Sequence, residues 1–193
     1  MTGKVGAVIL AAGSGNRIGT PKYRLPLGDS TFLQTIVAQA IRLGLSPIVC
    51  VVASAERDLI AAQTGDSVRL VVNEKPGRGM LSSVIEGLRQ LGESSGALVM
   101  PVDHPYVSDA TVSALIHRIG LHPDHVIKPV FKSRGGHPVL IPAAAFQIVL
   151  EADPTSSLRE VIARSGIQVE PLAVEDEGIL RNINLPGDLQ NVE

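Results

Sequence analysis

Tryptophan is absent from the sequence, and aromatic side chains are limited to two tyrosines and three phenylalanines. That scarcity excludes the stacking platforms used on single-stranded nucleic acids and the aromatic belts of membrane proteins. Neither sign of charge is in excess: 17 Lys and Arg stand against 19 Asp and Glu, giving a net charge of -2 and a pI of about 6.2. The basic surface on which a nucleic-acid binder depends is therefore missing. No stretch of about 18 apolar residues occurs, so no membrane span is expected. The single cysteine, Cys50, lies inside Ile48-Val49-Cys50-Val51-Val52 and can form neither an internal disulfide nor a zinc cage. It is expected as a buried apolar residue.

What is present is an apolar fraction of 45%, enough for a full core, with charged residues at 19%. The length is that of one domain, expected to span residues 1–193. Lys4 followed by Val5 to Ala12 superficially resembles a secretory leader, but the apolar stretch is short and runs straight into a glycine-rich turn. A buried strand and a cytoplasmic location are the expectation.

Val5 to Ala12, Ile48 to Val52, Leu70 to Val72 and Ala97 to Val102 are continuous apolar runs, predicted as strands buried on both faces. Helical spacing separates them. Leu33, Ile36, Val37, Ala40 and Ile41 follow Ser30 as a candidate N-cap; Leu81, Val84, Ile85 and Leu88 repeat the spacing, as do Val112, Leu115, Ile116 and Ile119 behind Ser108. Beyond residue 125, His125 to Phe131 and Pro138 to Ile141 are predicted as extended segments around a turn at residues 132–136, a short antiparallel element. Helices near Ala143 to Glu151 and Ser157 to Ser165 follow, the latter with Ser157 and Glu160 spaced as a capping box. Ile179 to Ile183 is predicted as a last strand, and Pro186 as the start of a short helix. The fold class is α/β: a doubly wound, mostly parallel, Rossmann-like sheet with a small antiparallel elaboration.

Chemistry concentrates first in Leu10-Ala11-Ala12-Gly13-Ser14-Gly15-Asn16-Arg17-Ile18-Gly19-Thr20-Pro21-Lys22, where the first strand ends. Glycines there let backbone amides approach an anion, and two cations flank the turn, as in a phosphate-binding loop. The glycine spacing fits neither the dinucleotide fingerprint nor the P-loop. A second segment, Ala97 to Pro105, is an apolar strand ending in Asp103, whose carboxylate is placed to meet a ligand crevice and could take a Mg²⁺ ion. A third, Asn73 to Ser83, is a glycine-containing loop opening a helix, where Gly79 and Ser82 could face a base and ribose. A fourth, Gly135-Gly136-His137-Pro138-Val139, has Lys132 and Arg134 upstream and forms a cationic patch suited to a phosphate. His117, His122 and His125 are spaced H-x4-H-x2-H across a helix end, but with neither a fourth ligand nor a clean loop in the sequence no metal cluster is expected of them.

Leu10 to Lys22 with Leu25-Pro26-Leu27-Gly28 resembles the LAAGxxxRMGxxK...LPLG signature of nucleotidyltransferases, within which the chain is most similar to the molybdenum-cofactor cytidylyltransferase and guanylyltransferase family. Asp103-His104-Pro105 resembles that family's D-x-P element, the segment Gly79-Met80-Leu81-Ser82-Ser83 its G-M-x-x-S block, and Gly136-His137-Pro138-Val139 its G-H-P-V element. Asn182-Ile183-Asn184-Leu185-Pro186 resembles its N-I-N-T-P block, with Ile18 for Met and Leu185 for Thr as departures. The resemblance implies a nucleotidyltransferase-type sheet and transfer of an NMP unit from an NTP to a phosphorylated small-molecule acceptor, with release of pyrophosphate. It implies nucleotide binding by Leu10, Ala11, Ala12, Gly13, Ser14, Gly15, Arg17, Lys22, Asn73, Gly79 and Ser82, catalysis by Arg17, Lys22 and Asp103, acceptor binding by Arg134 and His137, and Mg²⁺ on Asp103 and Asn184. CTP as donor, favoured by Ala11-Ala12, molybdopterin as acceptor and a molybdoenzyme as recipient of the product complete the expectation. A sugar- or polyol-phosphate nucleotidylyltransferase and a non-catalytic nucleotide-binding maturation protein are the alternatives.

Overall fold

The computed structural model of the chain describes residues 3–13 and 19–183. Strand β1 (Val5–Leu10) is followed by a small hairpin, β2 (Pro26–Leu27) and β3 (Ser30–Thr31), and by helix α1 (Phe32–Arg42). Next come β4 (Ile48–Val52), α2 (Arg57–Thr64), β5 (Arg69–Val72), α3 (Met80–Leu88), β6 (Gly96–Pro101) and α4 (Asp109–Leu121). The C-terminal part holds β7 (Val126–Phe131), β8 (Arg134–Gly135), β9 (Val139–Pro142), α5 (Phe146–Leu150), α6 (Leu158–Ser165) and β10 (Val169–Ala173).

These strands build one sheet in the order β10-β7-β9-β6-β1-β4-β5, with β8 paired to β7. The β1–β4, β1–β6, β4–β5 and β7–β10 pairs are parallel, whereas β9 runs antiparallel to both β6 and β7. The doubly wound, mostly parallel architecture with an antiparallel insertion is as the sequence predicts. Alternation along β1 feeds two cores: Val5, Ala7 and Ile9 pack with α1 and α4, while Val8 and Leu10 pack with α3, α5 and α6 on the opposite face. Gly87 lets α3 lie against β1, since a Cβ there would stand 2.3 Å from Val8 Cγ1. Cys50 is fully buried in β4, and burial pushes its thiol up to about 12. Among the described residues no helix is long and apolar enough to cross a membrane.

Four local expectations are corrected. The N-cap of α1 is Thr31, whose hydroxyl accepts from the Gln34 amide while Gln34 Oε1 accepts from the Thr31 amide; Ser30 is instead paired with Leu27 in the hairpin. Strand β5 lies at the sheet edge and is half-buried rather than enclosed on both faces. Residues Glu177–Leu180 form a 3₁₀ turn where a strand was expected at Ile179 to Ile183, and β10 is the last described strand. The cause is Asp176: its Oδ1 accepts from the Gly178 amide at 2.9 Å and fixes the turn, while Oδ2 accepts from the Ser108 amide, the Ser108 hydroxyl and Thr111 Oγ1 at 2.7–2.9 Å. Where a single helix was expected from Ala143 to Glu151, a 3₁₀ turn (Ala143–Ala145) leads into α5. Ser108 and Ser157 cap α4 and α6 as the sequence predicts. The expected helix at Pro186 lies outside the described residues.

Candidate active site

Strand order turns outward in both directions from β1: β4 lies on one side and β6 on the other, so the carboxyl ends of β1 and β6 open on the crevice where such sheets bind ligands. Leu10 accepts from the Val102 amide at 3.1 Å, and Ala11 donates to the Val51 carbonyl at 2.8 Å, so the start of the glycine loop is held between two strands. Ala11 and Ala12 are buried, and Gly13 emerges into solvent. Ser14, Gly15 and Arg17 lie outside the described residues.

The chain returns at Gly19, whose φ of +75° suits glycine, and enters a 3₁₀ turn at Lys22–Arg24. Tyr23 in this turn is 1% exposed and donates its hydroxyl to Glu56, while Arg24 Nε donates to the Tyr23 hydroxyl oxygen at 2.9 Å. Burial, then the Glu56 carboxylate, raises the Tyr23 pKa. With its neighbour anchored, Lys22 reaches across to Asp103, Nζ to Oδ2 at 2.7 Å, each side chain 18% exposed. The contact joins residues 81 positions apart and brings together two of the predicted groups. Among the described residues the Asp103 carboxylate takes its hydrogen bond from Lys22 and none from a backbone amide, so it does not act as a loop cap. Its other oxygen lies 4.0 Å from His104 Nε2, beyond hydrogen-bond distance.

Because β9 runs antiparallel to β6, with Val99 opposite Val139, the residues leading into β9 lie beside those leaving β6. His137 therefore meets His104, ring centroids 5.0 Å apart, and the Nδ1 atoms of both are buried without a hydrogen-bond partner. His137 is locked from the other side: its amide donates to the Ile179 carbonyl at 3.0 Å, and Gly136 touches that same turn. Burial, reinforced by the positive charge His104 would carry, depresses the His137 pKa to about 4, against the pull of Asp103. Burial also lowers the His104 pKa. Both rings are neutral at pH 7.

The His137 shift fixes a stability trend. Between an ordinary pKa of about 6.5 and the folded value of about 4, the unfolded chain takes the proton and the folded chain does not. The contribution is complete above pH 6.5 and is lost as the pH falls through that window. Lowering the pH from 8 to 5 is expected to destabilise the fold by about 2 kcal/mol through this group. Urea midpoints across that range check it: His137→Gln should flatten the dependence, and an unchanged slope in the variant would overturn it.

The loop after β5 is organised by Asn73, 4% exposed, whose amide donates to Ser82 Oγ at 2.8 Å and Ser83 Oγ at 3.0 Å, and whose Oδ1 accepts from the Lys75 amide. Ser82 donates in turn to the Gly79 carbonyl at 2.7 Å. Asn73 and Ser82 thus brace the loop from below, while Gly79, at φ +109°, and Met80 are exposed at its tip. Gly79 and Met80 also line a cleft of about 750 Å³, together with His137, Lys128 and Arg159. Lys128 in β7, Arg159 in α6, and Thr155 and Ser156 ahead of that helix carry no motif that marks them in the sequence, whereas Ser157 is marked there only as the N-cap of α6. Arg134 does not share this cleft. It is exposed on β8 and lines a separate one of about 670 Å³ with Glu175, Glu177 and Arg181, so the expected cationic patch is divided. Ile183 donates its amide to the Asp103 carbonyl at 3.0 Å, which brings the described end of the chain to the site. Asn184 follows and lies outside the described residues.

The chain is 30% identical to the nicotine blue oxidoreductase of Paenarthrobacter nicotinovorans over 72% of its own length and 71% of that protein. It is 27% identical to a probable molybdenum cofactor guanylyltransferase of Rhodopirellula baltica over 94% of its length and 88% of that protein. The crystal structure of Rv0371c from Mycobacterium tuberculosis superposes with a TM-score of 0.86 at 25% identity, covering 100% of this chain and 98% of that one; the same protein is known in complex with manganese. Residues 7–169 match the family model of the MobA-like NTP transferase domain, and the chain belongs to that nucleotidyltransferase family.

Proposed function

We propose that the whole chain acts as one nucleotidyltransferase domain, moving an NMP unit from an NTP to a phosphorylated small-molecule acceptor and releasing pyrophosphate. The observation that carries this reading is the Lys22–Asp103 pair at the carboxyl ends of β1 and β6, beside a cleft bearing His137, Lys128 and Arg159. Lys22, Arg17 and the amides of Gly13, Ser14 and Gly15 would hold the triphosphate and stabilise charge building on the leaving pyrophosphate. Gly79 would lie against the base, with Asn73 and Ser82 holding the loop in shape. His137, a neutral imidazole, and the cations Lys128 and Arg159 would orient the acceptor phosphate for in-line attack on the α-phosphorus; Arg134 faces the neighbouring cleft.

A divalent ion fits the residues present: Asp103 offers a hard carboxylate oxygen, Oδ1, that takes no hydrogen bond from the described residues, and Asn184 would add an amide oxygen. When bound, Mg²⁺ would neutralise phosphate charge; the manganese complex of Rv0371c supports a divalent-metal site in this family. Lys22 would then turn from the carboxylate to the phosphates. Molybdopterin is the proposed acceptor, supported by the molybdenum-cofactor relatives; CTP is the proposed donor on the strength of Ala11-Ala12 alone, whereas those relatives are named for guanylyl transfer. Pyrophosphate release measured with each NTP, with and without molybdopterin, tests the reading; release with none of them would overturn it.

Lys22→Met is expected to keep the fold while lowering kcat/KM about 10- to 150-fold, since one charge-assisted contact of about 1.5–3 kcal/mol is lost. Steady-state kinetics beside thermal melts would check this, and unchanged kinetics would remove Lys22 from the site.

A further inference from the structure

His122, His125 and Glu170 belong to no part of the nucleotide site, yet the fold gathers them. Residues 122–125 form a turn at the end of α4, closed by the His125 amide donating to the His122 carbonyl at 3.2 Å. The turn stacks the two imidazoles, centroids 5.2 Å apart and planes at 15°. The parallel register of β10 on β7 sets Val169 against Val126 and Glu170 against Ile127, delivering a carboxylate to the same spot. Val169 lines the large cleft, so Glu170, next along the strand, points to the opposite face of the sheet, where α4 packs.

We propose that these three side chains form a binding site for one divalent transition-metal ion of the zinc type. One ligand atom from each lies within 4.8 Å of the others. Glu170 Oε2 stands 3.5 Å from His122 Nδ1 and 3.8 Å from His125 Nδ1. Those separations are too long for a charge-assisted hydrogen bond, but they approach the roughly 3.3 Å that tetrahedral bonds of about 2.0–2.1 Å impose between neighbouring ligands. Without an ion, His125 Nδ1 and Glu170 Oε2 are both buried and have no hydrogen-bond partner, an expensive arrangement for polar atoms that face one another.

Arg118 occupies Glu170 Oε1 and so orients the carboxylate, leaving Oε2 turned to the imidazoles. The negative end of the thirteen-residue helix α4 adds a favourable potential for a cation. Two imidazoles and one carboxylate select zinc-like ions over magnesium or calcium. The side chains are 35%, 28% and 14% exposed, which admits the ion and a water as fourth ligand. The ion would tie the 122–125 turn to the edge strand.

The test uses the untagged full chain in excess Mg²⁺. Equilibrium dialysis should give one bound zinc, and zinc at ten times its Kd should raise Tm by about 3–6 °C. The double variant H122N/H125N should lose both while melting within about 1 °C of wild type in EDTA. E170Q should weaken zinc binding at least tenfold, read by affinity because the variant also loses the Arg118 partner. Retention of stoichiometric zinc by the histidine double variant, or no zinc bound to wild type below millimolar concentration, would overturn the proposal.

Discussion

Asp103→Asn is expected to lower kcat/KM about a thousandfold while shifting stability by about 1 kcal/mol or less, a separation that assigns the carboxylate to chemistry. A thousandfold loss corresponds to about 4 kcal/mol of transition-state stabilisation, the scale of removing a charge where phosphate charge must be neutralised. The small stability effect follows from the pair itself. Both side chains keep 18% of their surface in water, so Lys22 can partly rehydrate once its partner is neutral. Asparagine also preserves shape and could accept from Nζ. Turnover measured over a Mg²⁺ titration, beside urea unfolding, gives both halves. A variant that unfolds readily but retains full activity when folded would make Asp103 a scaffold residue.

The largest effect on the fold is expected from Gly136→Ala. A Cβ at this position would lie 2.2 Å from the Ile179 carbonyl oxygen and 2.6 Å from its carbon, both backbone atoms that cannot swing aside. The 177–180 turn must retreat, straining the bond between the His137 amide and that carbonyl. Destabilisation of about 3 kcal/mol, a Tm lower by roughly 6–12 °C, is expected. Its neighbour provides the contrast: in Gly135→Ala the new Cβ meets Lys128 Cε at 2.4 Å, the mobile end of a flexible side chain, and the change should be close to neutral. Equal melting temperatures for both alanine variants would refute the close packing of loop on turn.

The contrast between these elements also explains what could be read from the chain itself. Continuous apolar runs such as Val5 to Leu10 announce strands buried on both faces, and the glycine loop and Asp103 follow from their positions at strand ends. Strand β10 hid because its residues are alternately exposed and half-buried, with Glu170 and Pro171 breaking the apolar run, so only its pairing with β7 identifies it. Ile179 to Ile183 misled in the opposite sense: Ile179 and Ile183 are buried, but Asp176 bends the backbone into a turn. Tyr23 on Glu56, His104 against His137, and Glu170 beside two histidines are contacts across the fold. No local spacing encodes them.

The reversed strand β9 has a consequence for how this molecule can change. On one side of it stand β6 and β1, whose carboxyl-terminal loops carry Asp103 and the glycine turn; on the other stands β7 with Lys128, which lines the same cleft as Arg159 of α6. The wall that would recognise the acceptor is thus built from a contiguous C-terminal stretch that contributes nothing to the β1–β4–β5 half of the sheet. Exchanging Lys128, Arg159 or the 155–157 hydroxyls reshapes what the cleft admits while the strands beneath the triphosphate keep their register. On the proposed reading, the two substrates of one reaction would be held by largely separate parts of the chain, and a new acceptor could be accommodated without relearning how to hold the donor.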